Sequence, residues 1–268
     1  MVQLPDDGKG NDDKMNLREK IINKELVFGT WLQSGDPVVA EIMAEYGWDY
    51  IAADMEHTAI DENDFVAFAR AVKNRVAPFA RVESDEALAI RKVLDLGAQG
   101  VIVPMVNTKE QAQKVVEAAK YAPVGKRGFA WVRANKYGVA FDEYARIAND
   151  SITVIAMIET KEAVENIEEI LSVDGIDGVF IGPYDMSGSY GVVGQVEHTL
   201  VQNAKKIVLE ACKKYNKVAG QHIVKATREN VKAAVEEGYT FFALGTDVLF
   251  VDSACKATFA LAEEVKNI

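Results

Sequence analysis

Glu159 and Asp185 are the side chains with the strongest claim to chemistry. Glu159 closes the apolar run Thr153–Ile158, and Asp185 closes Gly182-Pro183-Tyr184-Asp185 after the next such run, Gly178–Ile181. Two carboxylates that leave coordination positions open suit Mg²⁺ or Mn²⁺, hard cations that prefer oxygen and keep waters. The same residues could instead be helix N-terminal acids stabilised by the dipole. No paired Cys/His or HExxH spacing supports zinc of the structural or peptidase kind. His57 follows the acidic stretch Asp54-Met55-Glu56 and reads either as a general base near neutral pH or as an ordinary surface histidine. Arg81 ends the otherwise apolar Ala77-Pro78-Phe79-Ala80, so it must meet an anion. That anion is a developing oxyanion, a carboxylate of Asp54 or Glu56, or both in turn. The Gly182–Ser187 stretch reads as a turn entering a helix, whose free N–H groups could take a carboxylate, or as a plain connection. His222 ends another apolar run and could line the same pocket, whereas His198 sits in a polar turn.

These residues need elements to bring them together. Apolar, β-branched runs predict strands at Leu26–Leu32, Tyr50–Asp54, Ala77–Val82, Gly100–Pro104, Thr153–Ile158, Gly178–Ile181, Val218–Gln221 and Phe241–Leu244. Amphipathic segments between them predict helices at Pro37–Tyr46, Glu62–Asn74, Asp85–Leu96, Lys109–Lys120, Lys161–Leu171, Leu200–Tyr215, Thr227–Glu237 and Val248–Val265. Strict alternation requires parallel strands with crossover helices. Eight such units favour a closed (β/α)₈ barrel, a TIM barrel, over an open doubly wound sheet. Gln33-Ser34-Gly35-Asp36 is no dinucleotide glycine fingerprint, and no phosphate-loop lysine motif occurs. A barrel places its chemistry at the C-terminal strand ends. Those ends carry Trp31 and Gln33, then Asp54, Glu56 and His57, then Arg81, Glu159, Asp185, and His222. One long connection, Tyr121–Asp150, leaves a helix at the opposite end.

The net charge of −11 over 268 residues argues against a nucleic-acid partner, which needs clustered cations. No run is long and apolar enough for a membrane span. Cys212 and Cys255 lack metal-ligand spacing and are expected as reduced thiols. The polar, acidic start MVQLPDDGKGNDDKMN lacks signal-peptide features, so a cytoplasmic protein is expected. The expected organisation is a tail and lead-in helix over residues 1–24, then one barrel over residues 25–268.

Several stretches resemble the HpcH/HpaI class II pyruvate aldolases, barrels of the phosphoenolpyruvate/pyruvate-binding type. They are FGTWLQSGDPVVAEIMAEYGWDYIAADMEH, ARVESDEALAIRKVLDLGAQGVIVPMV, YAPVGKRGF, MIET, GIDGVFIGPYDMSGSYG and FFALGTDV, in the family's order from about Val27 to the last helix. The resemblance implies an aldehyde-lyase that interconverts a 4-hydroxy-2-oxo acid with pyruvate and an aldehyde. It implies His57 as base, Arg81 as enolate stabiliser, and Glu159 and Asp185 as ligands of Mg²⁺, Mn²⁺ or Co²⁺. It places Trp31, Gly182, Pro183, Tyr184 and Asp185 at the substrate, with backbone at Tyr184 and Asp185 meeting the pyruvate carboxylate. Asp54 and Glu56 fall in a supporting D-x-E-H element, and Asp95 matches an acid that raises the basicity of the histidine. It also implies a homo-oligomer, a hexamer, with the last helix exchanged between subunits. Met157 departs from the family, which often carries a substrate-contacting Gln there, and a thioether donates no hydrogen bond. RANKYG is closer to sugar-acid aldolases than to the heptanedioate enzymes. The rival readings are an acyl-CoA lyase, synthase or decarboxylase using the same enolate, and a non-catalytic barrel.

Overall fold

The computed structural model describes residues 16–266. Eight parallel strands close into one barrel in sequence order: β1 (Val27–Leu32), β2 (Tyr50–Asp54), β3 (Ala77–Arg81), β4 (Gly100–Val103), β5 (Thr153–Ile158), β6 (Gly178–Ile181), β7 (Val218–Ile223) and β8 (Phe241–Thr246). The open-sheet alternative is thereby removed, because β8 pairs with β1. Helices α1 (Leu17–Ile22), α2 (Pro37–Ala44), α3 (Glu62–Ala71), α4 (Ala87–Asp95), α5 (Lys109–Ala119) and α6 (Phe141–Ser151) belong to the first half. The second half has α7 (Lys161–Glu165), α8 (Ile167–Leu171), α9 (Pro183–Ser189), α10 (Thr199–Lys214), α11 (Arg228–Glu237) and α12 (Asp247–Lys266).

Local sequence explains the helix starts. Asp36 caps α2 ahead of Pro37, whose missing N–H costs nothing there. Asp61, Thr108 and Thr227 form capping boxes with Asp64, Gln111 and Asn230. The expected Lys161–Leu171 helix is broken at Asn166, whose side chain donates to the Asn107 carbonyl at 2.9 Å instead of continuing a regular face. The long connection after α5 holds a 3₁₀ turn, Arg133–Gly138, and α6, neither of which the apolar periodicity predicts.

Strand alternation divides the core. Val27, Trp31, Tyr50, Phe79, Met157, Phe180 and Phe241 fill the barrel, while Leu32, Ile51, Ala80, Val101, Ile158 and Phe242 face the helices. Gly29 makes room for the Tyr50 ring, which would stand 2.3 Å from a Cβ at that position. The lower end is plugged by α1, whose Ile21 joins the interior cluster. Arg18 ties that plug to Asp177 just before β6, with contacts of 2.7, 3.0 and 3.1 Å. The expected lead-in helix is α1, and the tail expected before it lies outside the described residues.

Candidate active site

Period-two alternation carries the interior face one step above the apolar layers. Tyr50 and Phe79 point inward, so Asp54 and Arg81 do too, and Met157 brings Glu159 with it. This register assembles the upper mouth. Asp54 is fully buried and Arg81 half-buried. Arg81 donates through Nε to Asp54 Oδ1 at 2.9 Å and through Nη2 to Oδ2 at 2.6 Å. Its guanidinium stacks 4.6 Å from the centre of the Trp31 ring, and its Nε is 3.4 Å from Glu56. The arginine therefore has the carboxylate partner that its burial demands, in a bidentate geometry that fixes its plane. Burial pushes the Asp54 carboxyl upward, but Arg81, with Gln33 and the His57 N–H, outweighs it and holds the group below its ordinary value.

Glu159 is nearly inaccessible and accepts the Met105 N–H at 2.7 Å through Oε1. Met105 adopts a left-handed backbone, φ 55°, that aims this N–H at the carboxylate. Burial pushes the Glu159 carboxyl up to about 7, with the negative charges of Glu56 and Asp185 adding to the shift. Burial likewise raises Glu56, partly offset by Arg81. Three carboxylates thus repel one another with one arginine between them.

Those features fit a divalent cation. Glu56 Oε2 is buried without a hydrogen-bond partner, as an oxygen facing a cation or its water would be. Gly182 leaves the other side of Glu159 open, since a Cβ there would stand 2.9 Å from Oε2. Among the described residues no group of three or more His, Cys, Asp or Glu is arranged to hold a metal ion. A pair such as Glu159 and Asp185 would leave several positions of a divalent ion to water and substrate.

His57 lies on the rim, more than half exposed, with Nε2 3.6 Å from Glu56 Oε2. Tyr184 and Asp185 are exposed in the first turn of α9, where N–H groups lack intrahelical partners. Trp31 is buried beneath the mouth, edge-on to His222 at 6.1 Å. His222 Nε2 is 3.1 Å from the Gly245 carbonyl, and burial lowers its pKa to about 4, leaving the ring neutral. Asp95 is the exception. It ends α4 at the opposite end of the barrel, where Arg127 donates to its Oδ1 at 2.7 and 3.2 Å. Within one chain it therefore does not adjoin His57, as its late position in a helix already indicated.

Two contributors escaped sequence reasoning. Gln33 was visible as a strand end, but its 3.2 Å contact to Asp54 was not. The Met105 N–H is a backbone group, and the only hint is that the segment after Pro104 cannot simply continue the strand.

A family model described as HpcH/HpaI aldolase/citrate lyase matches residues 27–254. The chain is 38% identical over 227 residues to the 2-dehydro-3,6-dideoxy-6-sulfogluconate aldolase of Pseudomonas putida, covering 84% of this chain and 88% of that one. It is 38% identical over 232 residues to the hydroxypyruvate/pyruvate aldolase of Sagittula stellata, covering 85% and 90%. The fold matches a crystal structure of a family protein from Burkholderia cenocepacia with TM-score 0.86 and 29% identity, covering 94% and 100%.

Proposed function

The chain belongs to the HpcH/HpaI aldolase/citrate lyase family, and from that premise we propose that it is an aldolase interconverting a 4-hydroxy-2-oxo acid with pyruvate and an aldehyde. The observation that carries the reading is the mouth itself: the negative charges of Glu56 and Asp185 add to the charge cost of buried Glu159 beside Arg81, and one buried oxygen of Glu56 has no hydrogen-bond partner. Glu159 and Asp185 would hold a divalent ion (Mg²⁺ or Mn²⁺, with Co²⁺ a third option), which supplies Lewis-acid charge for the 2-oxo oxygen. Named relatives that act on sugar-acid-like and pyruvate-type substrates support this class.

The chain's own residues then divide the work. The first-turn N–H groups at Tyr184 and Asp185 receive the substrate carboxylate, with Gly182 and Pro183 setting the turn. Arg81, held flat by Asp54 and Trp31, faces the negative charge that develops on the 2-oxo oxygen. His57 takes the proton of the 4-hydroxyl; the C3–C4 bond breaks, its electron pair forms the enolate, and the aldehyde leaves. Protonation at C3 completes pyruvate. Glu56 lies beside both His57 and Arg81 and orients them. We further propose a cytoplasmic protein built as one barrel domain, assembled as a homo-oligomer, a hexamer, that exchanges α12.

The test is pyruvate release from a panel of 4-hydroxy-2-oxo acids. Activity that is lost on chelation and restored by Mg²⁺ or Mn²⁺ is expected. Activity that survives chelation yet dies on borohydride treatment with pyruvate overturns the reading in favour of a lysine Schiff base. Preferential turnover of an acyl-CoA thioester points instead to the lyase or synthase rival.

A further inference from the structure

The lower end of the barrel carries a second cleft, of ≈ 1190 Å³, opposite the strand ends that bear Arg81 and Glu159. It is walled by the end of α3, the turn after α4, the start of β3, and the 3₁₀ turn Arg133–Gly138. Six basic residues border it in a chain whose net charge is −11. Two of them are neutralised: Lys20 by Asp49 at 3.1 Å, and Arg75 by Glu41 and Glu45. Arg70, Lys73, Arg133 and Lys136 have no carboxylate partner among the described residues.

Arg133 is the informative member. It is half-buried, and its Nη1 and Nη2 donate to the carbonyls of Leu96 and Ala69 at 2.9 and 2.8 Å. Nη1 lies so near Gly97 that a Cβ there would stand 2.1 Å away. Those bonds occupy only part of a guanidinium that has five N–H groups. Burial holds Arg133 below its ordinary pKa; Tyr137 partly offsets this, and the positive charge of Arg70 adds a smaller push in the same direction as burial. A half-buried cation repelled by another, with donors to spare, is an arrangement that an anion would relieve. The dipole of α3 accounts for cations at its C-terminus, Arg70 and Lys73. Arg133 shares that role through its bonds to the Ala69 and Leu96 carbonyls, but the dipole does not account for Lys136, which a distant segment delivers to the same cleft with Arg133. That delivery is built in. Buried Asn135 accepts from the N–H groups of Val132 and Gly138 at 3.0 and 2.9 Å and donates to the Ala130 carbonyl at 2.7 Å. Lys136 and Tyr137 are thereby kept in left-handed conformations, φ 54° and 57°.

We infer that this cleft is a binding site for a small polyanion, phosphate- or carboxylate-bearing, separate from the active site. Two arginine forks suit bidentate recognition of either group, and two lysines add point charges. The volume, ≈ 1190 Å³, is more than a small polyanion fills, so water would share the cleft with it. The test titrates the full-length protein calorimetrically with pyrophosphate and with tricarballylate. It uses wild type, Arg70→Ala, the double variant Lys73→Ala/Lys136→Ala, and Arg81→Ala as the control for anion capture at the active site. One equivalent of probe should bind wild type and Arg81→Ala alike, and about tenfold more weakly in each cleft variant. Arg70, Lys73 and Lys136 are exposed, so the cleft variants retain the fold; matching melting curves verify it, and a native circular dichroism spectrum verifies that Arg81→Ala is folded at the temperature of the titration. Tighter pyrophosphate assigns a phosphate ligand, and tighter tricarballylate a carboxylate one. Failure of both probes to bind at millimolar concentration overturns the site. So does binding that is lost in Arg81→Ala and untouched in the cleft variants.

Discussion

The residue that decides most about this mouth is Glu159, because its charge is costly before any partner arrives. Its carboxyl is raised to about 7 by burial and by Glu56 and Asp185. The folded apo protein therefore holds a proton that the unfolded chain releases near the ordinary Glu value. Stability associated with that proton is complete below about pH 4.5 and is lost as pH rises through about 7, by up to roughly 3 kcal/mol. Melting curves of chelated protein should show this decline across that window, and Glu159→Gln should flatten it. The same variant should lower kcat/KM by about 10³-fold or more and weaken Mn²⁺ binding measured calorimetrically. Met157 tests a subtler point. It packs inward two residues before Glu159 and offers no donor. Met157→Gln should lower KM for the 2-oxo acid a few-fold with little change in kcat; an unchanged or raised KM would show that an amide there is not felt by the substrate. Sequence reasoning found Asp54, Arg81 and Glu159 because each interrupts or ends an apolar run, and a charge in that position has to be explained. It had no comparable signal for the Met105 N–H, since backbone donors leave no trace in residue type. Asp95 shows the opposite limit, in that a motif match says nothing of which end of the barrel a helix terminus occupies.

Elements convert those residues into a site through register. The eight runs of buried, β-branched residues were legible because strands covered on both faces cannot hide a polar interruption. Their alternation then fixed which side chains enter the mouth. The helices with apolar stripes were legible for the same reason, whereas α6 and the 3₁₀ turn were not. They are held by particular polar contacts, including Asn149 to the Tyr121 carbonyl at 2.9 Å and Lys120 to the Asn149 and Ile152 carbonyls at 2.8 and 2.5 Å. The break between α7 and α8 at Asn166 arises likewise from one side-chain bond. The plug α1 is held chiefly by its most buried ion pair, since Arg18 and Asp177 are 16% and 4% exposed and joined by three hydrogen bonds. Arg18→Ala leaves Asp177 uncompensated at the barrel floor and should cost about 3 kcal/mol, a fall in melting temperature of roughly 10 °C. Activity per folded molecule should stay within about twofold, because the mouth lies at the other end. Loss of activity without loss of stability would instead tie the floor to the chemistry.

At the scale of the whole molecule the last helix stands out by its exposure. From Val248 onward α12 exposes nearly every side chain, including Phe250, Val251, Phe259, Leu261 and Val265. Phe259 and Leu261 are each 61% exposed. A 20-residue helix with so few barrel contacts is marginal in water on its own. Burying each large apolar side chain contributes about 1.5–3 kcal/mol, so a cover over this face stabilises the helix substantially. An exchange of α12 between copies of the chain, as proposed above, would lay this apolar face on a partner barrel. We expect the native protein to run as an oligomer in light scattering, and Phe259→Glu/Leu261→Glu to run as a smaller species at the same concentration. Both positions lie clear of the barrel, so the variant's far-ultraviolet spectrum should keep its barrel signature while the melting temperature becomes independent of protein concentration. A wild-type chain that is monomeric at tens of micromolar, with α12 cut rapidly by protease, would show that nothing covers the helix. A variant that keeps the native mass would place the subunit contacts on the barrel itself rather than on α12.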